Sequence, residues 1–102
     1  RIPYEIKMDF MFQCNYSFNG DHSILPIHVY DDGQFTYMQL QPHQAVPAVF
    51  AVTGKEGLES VVNDRVNGQY IVIDRIAPQF TLRVGSNKVC SIFNNRLIAK
   101  LN

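Results

Sequence analysis

The 102-residue sequence predicts an all-β domain, an antiparallel β-sandwich built of short hairpins. Two observations carry this prediction. Apolar and polar residues alternate with a period of two along most of the chain, and turn residues recur about every eight to twelve positions. A helical period of apolar residues is nearly absent. A chain of this length buries roughly two thirds of the surface of its unfolded form, so we expect one domain with a single core.

The N-terminal part of the chain predicts a long, one-sided strand. From Ile6 to Phe18 the even positions are apolar, whereas the odd positions are polar apart from Met11. Because successive side chains of a strand point to opposite faces, this pattern indicates one long strand or two collinear strands. The turn residues Asn19-Gly20-Asp21 end it.

A hairpin follows, with strands predicted at about Leu25–Tyr30 and Phe35–Leu40 and a turn at Asp32-Gly33. We expect a two-residue type I′ turn, since both turn residues tolerate the positive φ that it requires. The resulting register pairs Tyr30 with Phe35, Val29 with Thr36, His28 with Tyr37 and Ile27 with Met38. One face is then largely aliphatic and the other aromatic, so the hairpin needs cover on both faces.

The rest of the chain predicts further strands separated by turns and prolines, at about 47–52, 59–66, 70–76, 80–84 and 89–93. A second type I′ turn at Asn67-Gly68 places Arg65 opposite Tyr70 and Asp64 opposite Ile71. Residues 97–101 are either a frayed helical turn or the start of another element. We expect residues 1–14 to be an N-terminal arm or linker strand, residues 15–94 the sandwich domain and residues 95–102 a tail.

Charge and hydropathy exclude several classes of partner. Nine basic and nine acidic residues give a formal net charge of zero, and no block of like charge indicates a nucleic-acid or anionic membrane surface. No apolar run approaches the roughly 18 residues of a membrane-spanning helix. We therefore expect a soluble piece of a longer protein, with any export signal upstream.

Catalytic, cofactor and metal sites are not predicted. Asp31 and Asp32 are adjacent at a turn, where aspartate commonly binds its own backbone, so they are poor candidates for acid–base chemistry. His22, His28 and His43 do not have the spacing of metal ligands. Cys14 and Cys90 match no zinc, haem or redox motif, and they are either two half-buried strand thiols or include one that pairs with a partner's cysteine.

Aromatic residues are the remaining functional signal. The chain has seven phenylalanines and five tyrosines without a tryptophan, and most of them are expected in the core. A subset cannot all point inward and indicates a surface for another polypeptide: Phe10, Phe12, Tyr16, Phe18, Tyr30, Phe35 and Tyr37. This pattern favours a binding module over an enzyme.

Five segments together resemble the C-terminal domain of the TrbG/CagX family, the VirB-nine-type subunits of bacterial type IV secretion systems. They are Tyr30–Tyr37, Val46–Phe50, Asn67–Val72, Arg75–Ala77 and Phe80–Gly85. The likeness covers about Asn15 to Asn94, and the hairpin signature consists of Asp31, Asp32, Gly33, Phe35, Tyr37, Asn67 and Gly68. The sequence departs from the family pattern at Gln34, where arginine is frequent, and at Ser91-Ile92-Phe93.

The resemblance implies a non-enzymatic scaffold in the outer-membrane core complex, on the periplasmic side. It implies binding of a small VirB-seven-type lipoprotein, through which the domain reaches the outer membrane indirectly. It also implies association with a VirB-ten-type subunit and assembly into a homo-oligomeric ring, without cofactor or nucleic acid. In some relatives a disulfide joins this subunit to the lipoprotein, and here either Cys14 or Cys90 is a candidate for it.

The lipoprotein segment is expected to lie along exposed strand edges, which the terminal strands of a sandwich provide. We assign it to two segments, formed by Cys14, Asn15, Tyr16, Ser17 and Phe18 and by Val89, Cys90, Ser91, Ile92 and Phe93. A carbohydrate-binding or adhesin-like sandwich is the alternative, with Tyr16, Tyr37 and Tyr70 stacking on sugar rings. A hydrolase is less favoured, because it would need a nucleophile such as Ser23 or Ser60 and a base that the sequence does not show.

Overall fold

The computed structural model describes residues 14–54 and 56–101, in which two antiparallel sheets are followed by a short helix. The strand expected from residue 6 onward lies outside the described residues up to residue 13. The strands are β1 (Tyr16–Gly20), β2 (His28–Asp31), β3 (Thr36–Gln39), β4 (Ala48–Val52), β5 (Glu59–Val61), β6 (Asp64–Asn67), β7 (Tyr70–Ile73), β8 (Gln79–Val84) and β9 (Lys88–Asn94). A 3-10 helix spans His22–Ile24, and α1 spans Asn95–Leu101.

The two sheets confirm the predicted all-β sandwich. One sheet has five strands in the order β1-β9-β8-β4-β5, and the other has four in the order β2-β3-β7-β6. Strands β1 and β2 therefore lie at one pair of sheet edges, and β5 and β6 at the other. Among the described residues, no helix is long and apolar enough to cross a membrane.

The core lies between the inner faces of the two sheets, as the alternating pattern predicts. Met38, Ile71 and Ile73 point inward from the four-stranded sheet and are almost fully buried. Phe80 and Leu82 oppose them from the five-stranded sheet, in a single apolar cluster. The residues between them point to the outer faces of the sheets, where Val72 and Thr81 are also buried and Tyr37 is half-buried.

Both predicted turn registers are wrong by one residue at the turn. The observed pairs include Tyr30 with Tyr37 and Asn67 with Tyr70, so the loops are Gly33-Gln34 and Gly68-Gln69. The two glycines have φ of 90° and 63°, whereas neither preceding residue has a positive φ. In the first turn the Asp32 carboxylate accepts hydrogen bonds from the backbone amides of Gln34 and Phe35, at 3.0 and 2.7 Å. These bonds require Asp32 to precede the loop.

The strand predicted at residues 59–66 is two strands in different sheets. Strand β5 pairs with β4 in the five-stranded sheet, and β6 pairs with β7 in the four-stranded sheet. The chain crosses between the sheets at Val62 and Asn63, where the Asn63 carbonyl oxygen accepts a hydrogen bond from the Asp74 amide at 2.9 Å. The sequence reads as one strand because both parts are extended. Residues 97–101, left open between a helical turn and another element, belong to α1.

Candidate functional site

A groove lies between the edge strands β1 and β2, on the side of the sandwich where those edges face one another. Its volume is about 250 Å³, and it is lined mainly by apolar atoms. The lining residues are Cys14, Tyr16 and Phe18 from β1 and its approach, and Ile27, His28, Val29 and Tyr30 from β2 and its approach.

Large apolar side chains remain accessible in this groove. In the β1–β9 register Phe18 pairs with Ile92, so Phe18 lies on the inner face of its sheet. It is nevertheless 40% exposed, because β2 is an edge and does not cover it, and Ile27 on the opposite wall is 48% exposed. Exposed apolar side chains beside strand edges are typical of surfaces that another chain covers.

A polar network that begins at the groove residue Tyr16 joins the two sheets. The Tyr16 hydroxyl donates to the Asp31 Oδ2 at 2.7 Å and accepts from the Asn94 Nδ2 at 3.0 Å. Asp31 is fully buried and also accepts from the Gly33 amide at 2.9 Å. The Arg96 guanidinium approaches the same carboxylate at 3.9 Å. Burial, followed by the bond to Asp31, raises the pKa of Tyr16 well above the ordinary tyrosine value.

Asn94 extends this network to the C-terminal helix. Its side-chain oxygen accepts from the Leu97 amide at 3.2 Å, as a helix-capping residue does. The next residue, Asn95, donates from Nδ2 to Ser17 Oγ at 2.7 Å and to Asn15 Oδ1 at 3.2 Å. The start of β1 is therefore held by the residues that begin α1.

An aromatic cluster covers the outer face of the four-stranded sheet beside the groove. The Tyr30 and Tyr37 rings stack with centroids 5.1 Å apart, and Tyr70 meets Tyr30 edge-on at 6.2 Å. Phe35 adjoins Tyr37 at 6.5 Å. Burial and the neighbouring Tyr70 raise the pKa of Tyr30 to about 12. Tyr30 belongs to both the cluster and the groove lining, so the two surfaces are continuous.

Comparison with known proteins identifies the family. The CagX family model, described as a conjugal transfer protein, matches residues 8–95. The chain belongs to the CagX family. This confirms the relationship that the sequence resemblance indicates.

Two relatives show how far the similarity extends. The type IV secretion system protein PtlF of Bordetella pertussis is 42% identical over 77 residues, which make up 76% of this chain and 28% of PtlF. The type IV secretion system protein virB9 of Brucella abortus is 40% identical over 75 residues, which make up 71% of this chain and 25% of that relative. The chain thus spans about a quarter of the length of these relatives.

The structure places the two predicted binding segments of this CagX domain side by side, in different environments. Cys14–Phe18 runs along the groove, and β1 is a sheet edge, as expected. The expectation that residues 89–93 also form an edge is wrong, because β9 lies between β1 and β8. Cys90 and Ile92 point into the core and are almost fully buried. Whether a peptide contacts either segment stays a prediction.

Sequence reasoning missed the other wall of the groove and the polar network. The wall is formed by β2, and nothing in the alternating pattern indicates which strand faces β1. The network had a detectable signal, since a period of two puts Asp31 on the same inward face as Val29. A carboxylate on an inward face needs hydrogen-bonding partners, and a neighbouring tyrosine is a suitable donor.

The two cysteines of the CagX domain differ in exposure. Cys14 is exposed at the groove, whereas Cys90 is buried with its Sγ 3.9 Å from the Ile24 carbonyl oxygen. Burial, followed by the charge of Asp21, raises the pKa of the Cys90 thiol to about 11. A partner that reacts with a thiol of the folded domain therefore meets Cys14 first.

The other residues that the sequence singled out are dispersed. Ser23 donates from its hydroxyl to Asp21 at 2.7 Å, in the cap of the 3-10 helix, and Ser60 lies on β5 at the opposite edge. Tyr37 and Tyr70 share the outer face, whereas Tyr16 is committed to the polar network and does not join them. Within residues 14–54 and 56–101, no three His, Cys, Asp or Glu side chains come together as a metal site would require.

Proposed function

We propose that this CagX domain is a structural, non-enzymatic part of the outer-membrane core complex of a type IV secretion system. In this proposal it lies on the periplasmic side and binds an extended segment of a small VirB-seven-type lipoprotein in the β1–β2 groove. It associates with a VirB-ten-type subunit within a homo-oligomeric ring. The observation that supports peptide binding is the apolar groove between two open strand edges.

Strand addition gives the physical basis for this binding. Strand β1 pairs with β9 and with no other described strand, so half of its backbone groups are directed away from β9. An extended peptide that pairs with this edge gains main-chain hydrogen bonds without a specific sequence. Its alternate side chains enter the groove against Phe18, Ile27 and Val29, which select apolar residues at every second position.

Co-purification of the full-length protein from its native envelope tests the proposal. Phe18→Asp puts a carboxylate into the apolar groove, and we expect it to abolish recovery of a short lipoprotein. Val61→Asp is the matched control, since Val61 is an apolar residue on edge strand β5 and is 83% exposed. The control is expected to recover the lipoprotein as the unchanged protein does. Equal recovery with both variants, or loss with both, would contradict binding at the β1–β2 groove.

A disulfide to the lipoprotein is a second element of the proposal, and the exposure of Cys14 at the groove favours it over Cys90. Mass spectrometry of the complex under non-reducing conditions is expected to show the lipoprotein linked to this chain. Cys14→Ser should remove that species while the two proteins still co-purify. A linkage that survives Cys14→Ser would assign the bond elsewhere.

The alternative function, carbohydrate binding, is favoured by a single observation, the half-buried rings of Tyr37 and Tyr70 that both contact Tyr30 on the outer sheet face. Rings on one sheet face provide a stacking platform for sugars. Glycan-array binding that is lost in Tyr37→Ala, together with no recovery of a lipoprotein, would favour this reading over the secretion scaffold.

A further inference from the structure

Tyr16 is the residue of β1 that reaches across to the other sheet. Four of the five β1 residues are exposed, and Tyr16 is the exception. Its ring points inward from the five-stranded sheet, and its hydroxyl meets Asp31 on β2 of the four-stranded sheet. The same hydroxyl accepts the hydrogen bond from Asn94, its register partner on β9. One phenol oxygen thus connects three strands and both sheets.

The burial of Asp31 strengthens its hydrogen bond with Tyr16. Asp31 is fully buried at the end of β2, so its carboxylate depends on donors within the protein. Tyr16 and the Gly33 amide supply two such donors at 2.7 and 2.9 Å. A hydrogen bond to a charged group contributes more than one between neutral groups, and removing the donor leaves the charge under-solvated.

We propose that Tyr16 positions the groove by fixing edge strand β1 against the opposite sheet. Loss of the hydroxyl lets β1 separate from β9 while the rest of the sandwich stays folded. The consequence for binding rests on the proposed function: when β1 is fixed, its outer edge is presented to an incoming peptide. The opening itself is a property of the domain alone.

Chemical labelling of the Cys90 thiol reports the separation of β1 from β9. Cys90 pairs with Gly20 at the end of β1, and its thiol lies beneath Ile24 of the 3-10 helix that follows. The cover over Cys90 belongs to the 3-10 helix that directly follows Gly20, so separation of β1 through Gly20 displaces this helix and makes Cys90 accessible to a thiol reagent. Cys14 is exposed in the folded state, so the experiment uses a Cys14→Ser background in which Cys90 is the labelled group.

The test compares the rate of Cys90 labelling by a disulfide reagent, under native conditions, before and after Tyr16→Phe. This substitution keeps the ring and removes the hydroxyl. We expect labelling to accelerate by about 10- to 100-fold, the range set by one hydrogen bond to a charged group. Tyr70→Phe is the matched control, because it deletes a phenol hydroxyl on β7 that contacts Gln39 at 3.4 Å and neither β1 nor β9. It should leave the rate unchanged.

A second control separates local opening from general destabilisation. Val49→Ala shortens a core residue of β4, away from the network, and lowers the stability of the whole sandwich. Amide exchange in Tyr16→Phe should accelerate in β1 and β9, whereas in Val49→Ala it should accelerate across both sheets. The proposal would be overturned if amide exchange in Tyr16→Phe accelerated throughout both sheets. It would also be overturned if Cys90 in Tyr16→Phe were labelled no faster than Cys90 in Val49→Ala, when the two variants have the same free energy of unfolding. Neither measurement needs a peptide, so failure here leaves the lipoprotein proposal standing, and the converse also holds.

Discussion

Gly20 ends β1 at a point where the strand runs close to the backbone of β9, and Gly20→Ala tests that contact. A Cβ at this position would lie 2.5 Å from the Cys90 Cα and 2.5 Å from the Val89 carbonyl oxygen. Both atoms belong to the backbone of a strand paired on its two sides, so neither can move away as a flexible side chain could. Gly20 also has a φ of 134°, which L side chains rarely adopt.

The expected cost follows from these two terms. Strained backbone conformations of this kind cost about 1–3 kcal/mol, and overpacking against rigid neighbours costs about 1–3 kcal/mol more. We therefore expect Gly20→Ala to destabilise the domain by about 3 kcal/mol. Gly68→Ala isolates the backbone term, since Gly68 has a φ of 63° and no atom within 4 Å of the added Cβ. Its expected cost is about 1–2 kcal/mol.

Urea unfolding followed by tyrosine fluorescence measures both variants against the unchanged chain. The midpoint should fall further for Gly20→Ala than for Gly68→Ala at the same slope. In a thermal scan, each 1 kcal/mol corresponds to about 4–8 °C for a domain of this size. If Gly20→Ala cost no more than Gly68→Ala, the close approach of β1 to β9 would be refuted.

Two further predictions concern the loops. His43 has a φ of 63°, and His43→Gly should raise the free energy of unfolding by about 0.5 kcal/mol, because relief of left-handed strain exceeds the added chain entropy; a lower urea midpoint would contradict this. Burial opposes ionisation of Asp32, but hydrogen bonds from Phe35, Gln34 and Tyr37 outweigh it and lower its pKa below 3.8. Its contribution is present above the unfolded-state pKa and lost as pH falls through the folded-state value. Asp32→Ala should thus lose less stability than the unchanged chain on acidification below about pH 4, and parallel pH curves would refute this.

The strands and their faces could be predicted because they depend on local alternation. Val29 and Met38 face the core and Tyr30 and Tyr37 face outward, in both the predicted and the observed register. The order of strands could not be predicted in this way. Strand β9 reads like an edge strand because it is the last one in the chain, yet β1 pairs back onto it from the other end of the domain. That pairing depends on contacts between distant residues, which a period of two does not encode.

In the groove, too, some features follow from local sequence and others depend on residues that are distant in the chain. The sequence places Phe18 among the aromatic residues predicted to form a surface for another polypeptide, and it lies in the groove. The opposite wall at Ile27 and the bond from Tyr16 to Asp31 both require β1 and β2 to face each other across two sheets. Two strands can do so without any shared pattern in their sequences, so the groove depends on topology, whereas each strand follows from local alternation.

The predicted positions of the two turns are wrong for a different reason. Asp32-Gly33-Gln34-Phe35 and Asn67-Gly68-Gln69-Tyr70 share one pattern, and both turns lie one residue later than an Asx-Gly loop predicts. In the first turn Asp32 caps the loop through its carboxylate, so glycine takes the first loop position with positive φ. This shift pairs Tyr30 with Tyr37 in place of Phe35. The stacked rings, 5.1 Å apart, therefore owe their contact to a side-chain bond of Asp32 as much as to the rings themselves.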